Sequence, residues 1–140
     1  FGFSNILIFW EIWTGKTTFT QFFLENIWIN KKVKSPSYTL ENFYNIDWNK
    51  DYKNIWHYDI YRLKENQNLE SLQENFNSDD LVLVEWAEKL EKKFLPKSWI
   101  KLIFKKLKEK NLEKWKYFWE NFREIEIKFF WTSFSEKKIS

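Results

Sequence analysis

The chain has 140 residues, a length that suits one domain with a real core, and its formal net charge of +3 is too mild to announce a nucleic-acid binder. With no Cys it has neither a disulfide framework nor a thiolate metal site, and no apolar run approaches the roughly 18 residues of a membrane helix. The start has no basic region ahead of an apolar one, so the expected location is the cytoplasm; it is also not Met but Phe1, which suggests that the natural start lies upstream.

"NILIF" (Asn5 to Phe9) is a short apolar run with β-branched and aromatic content, and it predicts a buried strand of a parallel sheet. "WEIWTGKT" (Trp10 to Thr17) follows it. Gly15, Lys16 and Thr17 fill the end of the phosphate-loop pattern G-x-x-x-x-G-K-[ST], while Trp10 stands at its first glycine and Trp13 lies inside it. "KTTFTQFFLENI" then sets Phe19, Phe22, Phe23 and Ile27 at helical spacing, so the order is strand, loop, helix. That order is the context in which the loop pattern carries weight. Backbone N–H groups at a helix N-terminus cradle anions, with Lys16 placed to neutralise terminal phosphates and the Thr17 hydroxyl to ligate Mg²⁺.

"SPSYTLENFY" (Ser35 to Tyr44) opens on a turn at Pro36 and continues extended, and "NIWHYDIYRL" (Asn54 to Leu63) alternates as a strand with Asp59 near its end. The polar "NIDWNKDYKN" between them reads as a hairpin loop, and "NLESLQENF" (Asn68 to Phe76) as a short amphipathic helix. "LVLVEW" (Leu81 to Trp86) is a second buried strand with Glu85 at its C-terminal end. An acid there is what a phosphate loop requires to hold magnesium from the opposite side; alone it reads first as an ordinary surface residue where a strand emerges, and the loop reverses that preference. "AEKLEKKF" (Ala87 to Phe94) predicts a helix that stops before Pro96. "WIKLIFKKL" and "REIEIKFF" alternate and predict an antiparallel pair.

Charge is distributed unevenly. Eleven Lys against three Glu fall between Lys89 and Lys116, so one end is basic, either as a solvated face or as a docking surface for RNA or an acidic partner. The aromatic usage is stranger, with 10 Trp beside 2 Gly, where ordinary usage puts Gly near 7% and Trp among the rarest residues. The two look exchanged. A gene from a lineage that reads UGA as glycine, translated with UGA as tryptophan, gives this pattern, and the wealth of Lys, Asn, Ile and Phe suits A+T-rich DNA. Trp10, Trp13 and Trp28 are the candidate positions.

Together "WEIWTGKTTF", "SPSYTL", "HYDIYRL" and "LVLVEWAEKL" resemble, in this order and at these separations, the TsaE family, small ATPases of bacterial tRNA threonylcarbamoyladenosine biosynthesis. The family loop looks like G-[DE]-[LI]-G-[AST]-G-K-T-T, so Glu11, Ile12, Thr14, Gly15, Lys16, Thr17 and Thr18 agree while Trp10 and Trp13 replace glycine. The resemblance runs from Asn5 to about Ile127, and the family carries a further N-terminal segment. It implies a single three-layer α/β P-loop NTPase domain over 1–140, with a mostly parallel sheet and antiparallel strands at the C-terminal end. It further implies ATP phosphates on the loop from Trp10 to Thr18, Mg²⁺ on Thr17 and Glu85, and Trp86 beside the nucleotide. Thr39 matches a switch-like segment, and Asp59 an acid implicated in activity that orients the attacking water or stabilises that segment. The implied partners are TsaD and TsaB, with tRNA reached through their complex.

His57, the sole histidine, is expected to pack or hydrogen-bond rather than catalyse. At Trp10 and Trp13 a residue with a Cβ is expected to cost about 1 to 2 kcal/mol if the backbone is left-handed, before any clash with phosphates. Two other readings stand beside the ATPase: a nucleotide-impaired scaffold of the same complex, and a single-strand nucleic-acid binder that stacks bases on its aromatics.

Overall fold

The computed structural model describes residues 3–10, 16–27, 33–34, 36, 38–46, 51–64, 67–106 and 123–131, the side chains of 16–18, 27, 106, 123 and 124 excepted. In chain order the elements are β1 (Asn5–Trp10), α1 (Lys16–Ile27), β2 (Glu41–Asn45), β3 (Asn54–Asp59), α2 (Glu70–Phe76), β4 (Leu81–Glu85), β5 (Ser98–Lys106) and β6 (Arg123–Trp131). The strands form one sheet ordered β2-β3-β4-β1-β5-β6. β3, β4, β1 and β5 run parallel to their neighbours, and β2 and β6 close the two edges antiparallel. The antiparallel additions therefore lie one at each edge, and β5, which pairs antiparallel with β6 as expected, is also a parallel partner of β1.

Side chains alternate between the two faces of a strand, so parity decides the layers. Ile6, Ile8, Ile55, Leu81, Leu83, Leu102 and Phe104 share one face and pack with Leu24 of α1 and the half-buried Phe19 and Phe23. Leu7, Tyr58, Val82, Val84 and Trp99 share the other face with Leu72 and Phe76 of α2. A sheet buried on both sides needs strands that are apolar at consecutive positions, which is what "NILIF" and "LVLV" supply. Asn5 fixes the start of β1, its side-chain amide donating to Phe76 O at 3.2 Å and Ser98 O at 3.1 Å.

Two expectations are corrected. In α1 the buried positions are Thr20 and Leu24, with Phe19 and Phe23 beside them, while Phe22 is 64% exposed. A stripe through 19, 20, 23 and 24 follows the helical period as well as the expected one did, and the sheet selects between them. The segment 87–94 is not one helix but two 3₁₀ turns, Ala87–Lys89 and Lys92–Phe94, with Leu90 extended between them. The connection from β4 to the parallel β5 must return the length of the sheet and carry Ala87 and Leu90 onto the α2 face. Leu90 and Leu95, which end the two turns, are both extended. Between β5 and β6, Lys105 and Lys128 hydrogen-bond Glu126 at 2.5 and 2.6 Å and hold its carboxyl down at about 2.

Candidate nucleotide and metal site

Ligands of open parallel sheets sit beyond the carboxyl ends of the strands, and here that edge gathers the chemistry. Glu85 ends β4, in register with Asp59 at the end of β3 and with Ile8 of β1. By parity His57, Asp59, Glu85 and Trp10 all project to the α1 face, and α1 itself begins at Lys16 just after β1. The sheet thus brings three polar side chains to the side from which the helix starts.

All three are buried: His57 at 0% exposure, Glu85 at 1% and Asp59 at 5%. His57 Nε2 lies 2.7 Å from Glu85 Oε1. Glu85 Oε2 and His57 Nδ1 are buried without a hydrogen-bond partner among the described residues. A carboxylate oxygen in that state is costly unless something else satisfies it, and a cation is the natural candidate. Among the described residues no group of three ligating side chains gathers.

Asp59 has local duties. Its Oδ1 accepts a hydrogen bond from the Tyr61 amide at 3.0 Å, which turns the chain as β3 ends, and its own amide donates to Leu40 O at 2.9 Å. Thr39 lies in the exposed turn just before Leu40. Its hydroxyl donates to Glu41 O at 3.0 Å and its amide to Pro36 O at 3.0 Å, so it knits its own turn, and that turn is tied to Asp59 through its neighbour.

Backbone strain clusters at the same edge. Among the described residues the non-glycine residues with positive φ are Leu40 (73°) and Trp86 (63°), one adjoining the Asp59 bond and the other following Glu85. Strain of this kind concentrates at functional sites and is retained because surrounding contacts over-determine it. The Trp86 ring packs 4.7 Å from Tyr61, and the Lys89 ammonium lies over Tyr61 at 4.7 Å and hydrogen-bonds its carbonyl.

Trp10 is not among the strained residues. It pairs with Phe104 as part of β1, and its indole lies 4.3 Å from the Phe104 ring, which also meets Phe19 at 4.7 Å. The expected left-handed cost is absent there, because the position is still strand and its side chain enters the α1-face core. Glu11, Ile12, Trp13, Thr14, Gly15 and Trp28 lie outside the described residues, as do the side chains of Lys16, Thr17 and Thr18. Sequence reasoning assigned His57 to packing or hydrogen bonding and missed its partner. Counting parity from Asp59 puts residue 57 on the same face, one step inside, and that signal was available.

Four parallel strands with a helix following the inner strand β1, and acids ending β4 beside it and β3 next in the sheet, define a P-loop NTPase fold. Within that class, the family model described as "Threonylcarbamoyl adenosine biosynthesis protein TsaE" matches residues 4–114, and the chain belongs to the TsaE family. It is similar to the tRNA threonylcarbamoyladenosine biosynthesis protein TsaE of Haemophilus influenzae, 42% identical over 81 residues, covering 56% of this chain and 49% of that one. The protein of the same name from Bacillus subtilis is 32% identical over 96 residues, covering 69% of this chain and 58% of the relative. The chain thus spans about half the length of the curated relatives it matches. A crystal structure of YdiB from Bacillus subtilis matches with a TM-score of 0.50 at 26% identity, covering 75% of this chain and 62% of that one. Among the described residues no helix is long and apolar enough to cross a membrane.

Proposed function

We propose that this chain binds and hydrolyses ATP with Mg²⁺ as the nucleotide-driven component of tRNA threonylcarbamoyladenosine synthesis, acting with TsaD and TsaB in the cytoplasm. The observation that carries the reading is Glu85: a buried carboxylate at the carboxyl edge of the sheet, facing the side where α1 starts, with one oxygen held by His57 and the other without a hydrogen-bond partner among the described residues. The sequence from Trp10 to Thr18 supplies the phosphate cradle, Lys16 neutralises the terminal phosphates, and Thr17 and Glu85 hold the cation.

The bound cation supplies charge neutralisation at the triphosphate. This chain's residues do the rest. Lys16 and the amides at the start of α1 bind and orient the phosphates, and Trp86, which follows Glu85 in the chain and packs on Tyr61 and the α2-face core, is the aromatic residue offered to the nucleotide. Asp59 sits across β3 and β4 from Glu85, placed to take a hydrogen bond from an attacking water or to steady the turn through Thr39. Threonylcarbamoyl transfer falls to the partner complex, which nucleotide turnover resets.

The test is calorimetric titration of ATP with and without Mg²⁺, on the chain as it stands, on Trp10→Gly/Trp13→Gly, and on Glu85→Gln in each. Affinity should require Mg²⁺ in the parent chains and lose at least about tenfold of that requirement in Glu85→Gln. If the glycine variant binds no adenine nucleotide while retaining its partners, the chain is a scaffold instead.

A further inference from the structure

His57 has no assigned task beyond packing, yet it is a fully buried imidazole making a 2.7 Å contact to the carboxylate on which the cation reading depends. The geometry points to His57 as a positioning residue: its Nε2–H donates to Glu85 Oε1, fixes the carboxylate plane, and leaves Oε2 turned to the cation that accompanies the nucleotide. The inference rests on the proposed phosphate site and adds to it how the metal ligand is held.

Three observations converge. Glu85 is the last residue of β4, where the strand ladder stops and Trp86 departs in a left-handed conformation. His57 lies one ladder step earlier on the neighbouring strand, in register with Leu83 and on the same face, and reaches diagonally to the carboxylate. The partner pattern then selects the tautomer. With Nε2 donating, Nδ1 is left a bare acceptor without a partner among the described residues; the opposite tautomer would set two lone pairs against each other at 2.7 Å and bury an orphan N–H. Under-satisfied buried acceptors are tolerated better than orphaned donors, so the donating arrangement wins. Residues that orient a ligand in this way typically change metal affinity by roughly 10- to 100-fold when removed.

His57 is the chain's one histidine, so its ring can be read by ¹⁵N–¹H correlation without ambiguity. In nucleotide-free protein the spectrum should show a protonated Nε2 and a bare Nδ1, with the Nε2 signal displaced in Glu85→Gln. In parallel, binding of a non-hydrolysable ATP analogue is titrated with and without Mg²⁺ on the Trp10→Gly/Trp13→Gly background. His57→Phe should lose about tenfold or more in the Mg²⁺-supported affinity, leave metal-free affinity unchanged, and be rescued by His57→Gln, whose amide N–H reaches a similar point. Melting curves of the three proteins separate this from loss of fold. A bare Nε2, or a folded His57→Phe with full Mg²⁺ dependence, overturns the inference, as does a loss equal with and without metal. A parent protein that binds no analogue at all overturns the site reading itself, while the tautomer spectrum still reports on the clamp.

Discussion

Trp86 holds φ at 63° immediately after the buried Glu85, a conformation that costs a residue with a Cβ about 1 to 2 kcal/mol. Glycine escapes that cost and alanine does not. Replacing Trp86 by Ala and by Gly removes the same contact with Tyr61, so the two variants differ mainly in backbone strain. Chemical denaturation should find Trp86→Gly more stable than Trp86→Ala by about 1 kcal/mol, the reverse of their order in ordinary strand or helix. At this scale the sequence was informative where chemistry dictates residue type. That Glu85 and Asp59 end their strands was readable from the apolar runs before them, but their burial was not, since an acid where a strand emerges is commonly a surface residue. Leu40 was not, since nothing in a leucine announces a left-handed backbone, and Trp10 misled because a motif position does not reveal whether its backbone is still strand.

Tyr58 couples β3 to α2. It is buried at the α2 face, its hydroxyl accepting a hydrogen bond from the Asn75 amide at 2.7 Å and lying 3.3 Å from Ser71 Oγ. Burial pushes its phenol up to about 12, against an ordinary 10.0, while the Ser71 and Asn75 hydrogen bonds pull the other way. A raised folded value means that the native state keeps a proton which the unfolded chain releases. The neutral phenol's contribution is therefore complete below about pH 10 and is lost progressively up to about pH 12, on the order of 2 kcal/mol in total. Tyr58→Phe should flatten that alkaline decline in urea-melt stability, while lowering stability near neutrality by about 1 to 2 kcal/mol because Asn75 loses an acceptor. Elements proved easier to read than their limits. β1, β4 and α2 are legible because consecutive apolar residues and an i, i+4 pair leave little choice, whereas 87–94 has helical composition yet breaks at the extended Leu90, which packs with Ala87 on the α2-face core.

At the scale of the molecule, the proposed ligand binds only the folded state. Saturation at 100 times its dissociation constant should therefore raise unfolding free energy by about 2.7 kcal/mol, visible as a melting shift of several degrees. That shift should need Mg²⁺, be larger for Trp10→Gly/Trp13→Gly than for the parent, and shrink in Glu85→Gln. Without nucleotide the glycine variant should melt lower than the parent, because Trp10 gives up its contact with Phe104. The parallel order of the strands was legible from the alternation of strand and helix, but the placing of β5 beside β1 was not, since no local pattern distinguishes a strand with one neighbour from a strand with two.

The amide of Asp59 grips the carbonyl of Leu40, and from there the antiparallel ladder of β2 and β3 runs on through Glu41 and Tyr58. The exposed bend around Thr39 is thus leashed at its rear to a deeply seated acid. A pull on that bend from outside therefore reaches the backbone of Asp59, at the carboxyl edge of the sheet, through a single hydrogen bond.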